Sequence, residues 1–138
     1  LKGALICLVT MGVALLWTIG GMVLFDIKLG LYNMIVLHMV LGTGIDGSIH
    51  IYHRYLEMGP GKMYDVLRTT GLSVVAASCT TLAGFAGLLV VSHNGVKSIG
   101  ELAVVGIFAT LLAVLSFMPG ILILVYGGKK EAEHDSAV

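Results

Sequence analysis

Residues 31–55 read LYNMIVLHMVLGTGIDGSIHIYHRY. From Leu31 to Tyr52 the run is apolar apart from a few small polar groups, two histidines, His38 and His50, and one acid, Asp46. At 1.5 Å per residue, a run of this length crosses a hydrocarbon core about 30 Å thick. Hydrocarbon offers no water to the backbone, so the segment must satisfy its own N–H and C=O groups, which a helix does and a lone strand does not. This segment predicts an all-α membrane fold with an ionisable side chain inside the bilayer.

The rest of the chain repeats the pattern. Three further apolar runs, at 3–25, 69–92 and 99–126, give four expected transmembrane helices in all. The 138 residues are 57% apolar and 12% charged, where soluble domains carry about 25% charged residues. The mean hydropathy is +0.99, and a compact water-soluble core is excluded. Two connections, at 26–30 and 93–98, are short enough to make tight helical hairpins. The third, 53–68, is polar and broken by Gly59-Pro60-Gly61. Residues 1–128 are therefore expected to form a transmembrane bundle, and 129–138 a polar tail. The first residue is Leu1, with no charged leader before the first run, and the chain reads as a piece of something longer.

Charge predicts the orientation. Four crossings put the N-terminus, the 53–68 loop and the tail on one side, with Lys2, Arg54, Lys62, Arg68, Lys129 and Lys130. Lys28 and Lys97 fall on the other. The richer side is cytoplasmic by the positive-inside rule, so both ends are expected inside. A net charge of zero gives no field for nucleic acid. Cys7 and Cys79 sit in apolar runs without metal-type spacing and read as buried structural thiols.

Asp46 carries the chemistry. An ionised carboxylate at that depth costs a few kcal/mol, and desolvation favours its neutral form, making it a group that takes up and releases a proton near neutrality. His50 lies at i+4, on the same helix face, and imidazole titrates near neutral pH. The pair reads as a proton relay, and His53 at i+7 extends the stripe towards the cytoplasmic edge. The bland alternative stays open, in which Asp46 is a neutral, hydrogen-bonded packing residue and His53 an interfacial residue beside Arg54. His38 stands about 12 Å from Asp46 along the helix and reads as a packing residue. Glu101, near the outer end of the last run, is expected to reach interfacial water. Gly42, Gly44 and Gly47 around the acid leave room for a neighbouring helix or for water. In the third run Ala83-xxx-Gly87 favours close helix packing, while Ser78, Thr80 and Thr81 offer hydroxyls to Asp46. Asp46, His50 and His53 lack a fourth ligand, and no metal or other cofactor is expected. No catalytic triad, nucleophile elbow or phosphate-binding glycine loop is present, which argues against an enzyme.

Taken together, G-I-D-x-x-I-H at 44–50, A-x-S-x-T-T-x-x-G-F at 76–85, G-x-x-S-x-G-x-L-A at 95–103 and Pro119 resemble the C-terminal membrane half of the resistance-nodulation-division (RND) superfamily. The MmpL-type and hopanoid-exporter-type branches are the most similar, and the resemblance runs to about Tyr126. It implies that the four spans are the ninth to twelfth helices of a twelve-helix transporter. It gives Asp46 the proton-relay role, His50 a supporting one, and makes Thr80 and Thr81 the hydroxyl pair near the relay, with Gly42 beside it. Two positions depart from the pattern: His38 stands where relatives commonly have proline, and Gly47 where many have Asp, Asn or Tyr.

The implied function is proton-driven export of lipids or other hydrophobic molecules from the bacterial inner membrane. The implied partners are the bilayer, protons, the remaining helices of the parent protein, and cargo held by domains this chain lacks. A homo-oligomer is left open. A different class remains as the rival: a sterol-sensing-like module that responds to lipid without pumping.

Overall fold

The computed structural model describes residues 2–28, 30–59 and 61–135, with side chains to Tyr126. Four long helices form the bundle: α1 (Lys2–Leu24), α2 (Leu31–Met58), α3 (Met63–Val90) and α4 (Asn94–Tyr126). Each is long and apolar enough to cross a membrane, and the described residues contain no strand. The all-α membrane fold that the sequence predicts is the fold observed. The backbone of α4 stays helical to Asp135. The polar tail expected at 129–138 lies outside the described residues in its side chains and in its last three positions.

The helices run beyond the apolar stretches. α2 passes Tyr52 to Met58, where Arg54 and Glu57 pair one turn apart at 2.9 Å. α3 starts at Met63, ahead of the expected start at 69. The connection between them is thus tighter than the polar stretch 53–68 suggests. It turns on Gly59 and Gly61, whose φ values of +85° and +97° suit glycine alone. Amphipathic ends with i, i+3 and i, i+4 pairs continue a helix past the bilayer boundary, which hydropathy by itself does not mark.

α4 is the centre of the bundle. It packs against α1, α2 and α3, and α1 also packs against α2. Lipid tails are as apolar as leucine, so close van der Waals fit supplies what the hydrophobic effect does not. Glycines make that fit: Gly106 on α4 seats Val40 of α2, and Gly21 on α1 seats Val105 of α4. Two cores result. One, at the end bearing the 59–62 turn, holds Ile6, Ile51, Tyr55, Val66, Val114, Met118 and Leu122. The other, at the opposite end, holds Met22, Val36, Val40, Leu102, Ala103 and Ile107. Buried hydroxyls along α1 and α4 return to their own helix: Thr10 donates to the Ile6 carbonyl, Thr18 to Ala14 and Thr110 to Gly106, at 2.7–2.9 Å. In an apolar bundle this satisfies a polar side chain without a partner helix.

α4 is not uniform. A π-helical turn at Ala113–Phe117 precedes Pro119. Proline offers no N–H to the carbonyl one turn back, and a wider turn absorbs the mismatch. A second π-helical turn, Leu67–Gly71, lies in the first part of α3.

Candidate functional site

The buried face of α2 is Asn33, Val36, Val40, Gly44, Gly47, Ser48, Ile51 and Tyr55, a stripe of i+3 and i+4 steps turned towards α1 and α4. Asp46 and His50 stand off that stripe and are exposed at its edge. Beside them lies α3. The two helices meet chiefly near their shared turn, where the 63–71 segment touches α2. Farther along, each leans on α4, and a groove opens between them.

Asp46 lies in the upper part of this groove, a cavity of about 240 Å³. Thr43, Gly47 and His50 of α2 share that cavity with Ser78 and Thr81 of α3, and Ile107 of α4 contributes to it. Below it a second cavity of about 500 Å³ is lined by His50 and Arg54 from α2 and by Thr69, Thr70 and Ser73 from α3. His50, Val74 and Ala77 line both. The groove therefore leads from the acid, past the imidazole, to a guanidinium at the charged end of the bundle. The helices are close but not jammed at Gly47, where a Cβ would stand 3.4 Å from Val74 Cγ1, in ordinary contact.

The residues singled out from sequence separate into two groups. The structure brings together Asp46, His50, Thr81 and Ser78. Thr80 faces elsewhere and does not line the groove. Successive helical residues lie 100° apart, so Thr80 and Thr81 do not share a face. Both hydroxyls donate to their own helix, Thr80 to the Ala76 carbonyl at 3.0 Å and Thr81 to Ala77 at 2.9 Å. Gly42 is exposed and a Cβ there would meet nothing within 4 Å. Gly44, two residues on, is the glycine in close contact. His53 points away from the groove, 75% exposed and 3.6 Å from Glu57. His38 Nδ1 donates to the Met34 carbonyl at 2.8 Å. Glu101 reaches Lys97 at 4.0 Å, within its own helix.

Four groove residues escaped the sequence reading. Thr43 precedes Asp46 by three residues, Arg54 follows His50 by four, and Thr70 and Ser73 begin the α3 stripe that continues through Ala77 and Thr81. Helical spacing carries that signal, since 70, 73, 74, 77, 78 and 81 all fall on one face.

Four apolar helices, with a carboxylate–imidazole groove open between α2 and α3, make this an integral membrane protein. The MMPL family matches residues 2–136, and the chain belongs to that family. Among curated relatives, the Methanocaldococcus jannaschii protein MJ1562 is 31% identical over 118 residues, covering 81% of this chain and 30% of its own length. The hopanoid transporter HpnN of Rhodopseudomonas palustris is 28% identical over 100 residues, covering 72% of this chain and 11% of the relative. The membrane protein ActII-3 of Streptomyces coelicolor is 28% identical over 97 residues, 66% of this chain and 14% of the relative. The chain thus spans less than a third of each of these proteins. No solved structure matches it.

Proposed function

We propose that this chain is the proton-coupling part of an RND-type transporter that exports lipids or other hydrophobic molecules. Asp46 is the coupling acid, His50 its relay partner, and Thr81 with Ser78 the hydroxyls facing them. The groove is the observation that supports this reading. An acid, an imidazole and hydroxyls share one continuous opening, whereas the cavities between α1 and α4 and between α1 and α2 are lined almost wholly by apolar side chains. A carboxylate left to lipid is costly; here Asp46 has the imidazole of His50 and the hydroxyl side chains of Thr43, Ser78 and Thr81 around its cavity. Membership of the MMPL family and similarity to a hopanoid transporter support the transporter assignment and hydrophobic cargo.

Protonation of Asp46 removes a charge from the groove between α2 and α3. The two charge states favour different separations of these helices, and the proton gradient biases that equilibrium. The parent protein's other domains convert the bias into cargo movement. Both ends of the chain lie in the cytoplasm, and the membrane is the plasma membrane, a bacterial inner membrane on the family reading.

The test is export of a labelled lipid by the full-length parent in proteoliposomes, with and without an imposed proton gradient. Gradient-dependent export is expected. Lipid binding without gradient-dependent movement would favour the lipid-sensing alternative.

A further inference from the structure

The lower end of the groove has a composition that proton movement does not require. Its cavity of about 500 Å³ is the larger of the two, and its rim carries Arg54 with the hydroxyls of Thr69, Thr70 and Ser73. Behind the rim the wall turns apolar at Val74 and Ala77. The depth of this recess is marked by aromatics. Tyr52 and Tyr126 join through their hydroxyls at 3.1 Å, and the Tyr55 ring meets Tyr126 edge-on at 6.0 Å. Tyrosines gather at the level of lipid headgroups, and Arg54 lies between Tyr52 and Tyr55 in sequence on the same turns of α2.

Charge points to the occupant. Arg54 brings a permanent positive charge to the recess. The Arg54 side chain is 41% exposed, and Glu57 Oε2 accepts from its Nη1 at 2.9 Å. One acceptor leaves most of the five-donor guanidinium fork free, and that fork matches the oxygens of a phosphate. Thr69 donates to the Asp65 carbonyl at 2.8 Å, whereas Ser73 reaches the Thr69 carbonyl at a longer 3.2 Å. Ser73 thus loses little by turning its hydroxyl to a better acceptor.

We infer that this recess holds the phosphate of an anionic membrane phospholipid. Arg54 is its principal ligand, Thr70 and Ser73 add hydroxyl donors, and the first acyl carbons run along Val74 and Ala77. A free anion would use the rim alone. A lipid uses the rim and the apolar wall together, at the depth where its headgroup already resides. The site does not depend on Asp46 changing charge.

The test measures binding of fluorescent phosphatidylglycerol to the full-length parent in detergent micelles, without a proton gradient, so its outcome is separate from that of transport. Arg54→Gln should weaken binding about tenfold, the scale of one hydrogen bond to a charged group. Arg54→Lys should recover part of the loss. Thr70→Val with Ser73→Ala should weaken binding by a few-fold, and this pair carries the test if Arg54→Gln fails to fold. Arg68→Gln, outside the recess, should change binding less than twofold. Unlabelled phosphatidylglycerol should displace the probe, whereas inorganic phosphate at the same concentration should not. Displacement by inorganic phosphate would overturn the lipid assignment in favour of a free-anion site. Unchanged binding in the folded rim variants would overturn the site itself.

Discussion

Gly44 of α2 lies so close to Thr110 of α4 that a Cβ on the glycine would stand 2.6 Å from Thr110 Cγ2 and 3.1 Å from Met11 Sδ. Three helices meet at this point, half a turn from Asp46, and the absence of a side chain is what lets them. The acid is therefore held on a helix whose opposite face is locked to α1 and α4.

Gly44→Ala should destabilise the bundle by about 1–3 kcal/mol, the usual cost of overpacking. Gly42→Ala, where a Cβ meets nothing within 4 Å, should be neutral or slightly stabilising, because alanine is the better helix former. Thermal unfolding in detergent compares the two. Equal losses would contradict the packing described for α2.

The hydroxyl pair divides in the same way. Thr81 lines the cavity with Asp46 and Thr80 does not. Thr81→Val, which keeps the shape and removes the hydroxyl, should lower gradient-driven export several-fold, and Thr80→Val should leave it nearly unchanged. Matched expression and initial export rates are the measurements. The reverse order would move the relay to the other face of α3.

Much of this is legible in the sequence. Apolar runs long enough to cross a bilayer fixed four helices, and i, i+4 spacing put Asp46 and His50 on one face. Two things were not legible. Where α2 and α3 end was hidden, since 53–58 and 63–68 hold charged helix that hydropathy scores as loop. Which of Thr80 and Thr81 faces the acid depends on how α3 is rotated against α4, a matter of tertiary packing. Likewise nothing local to Gly42 and Gly44 says which of them a neighbour approaches. The exit of the groove at Arg54 rather than His53 follows from the position of α3, which the α2 sequence does not contain.

The tyrosines at the turn end give a third expectation. Tyr52 and Tyr126 share one hydrogen bond at 3.1 Å, tying α2 to α4. Tyr52→Phe and Tyr126→Phe should each cost about 0.5–1.5 kcal/mol, and the double variant little more than either alone. A double-mutant cycle on thermal unfolding reads the coupling. Additive losses would mean that the two hydroxyls act independently.

Orientation is open to direct labelling. In a background with Cys7 and Cys79 replaced by serine, Lys62→Cys should react with a membrane-impermeant maleimide only from the cytoplasmic side. Lys28→Cys should react only from the opposite side. Right-side-out and inverted vesicles separate the cases, and the opposite pattern would reverse the assignment made from charge.

The central claim is that Asp46 couples proton movement to transport, and one substitution addresses it. Asp46→Asn preserves size and hydrogen bonding but removes the titrating proton. Export by the full-length parent, measured under an imposed proton gradient at matched, membrane-inserted levels, should fall to the rate seen without a gradient. Export that continues at the wild-type rate would make Asp46 a packing residue and contradict the proton-coupling role.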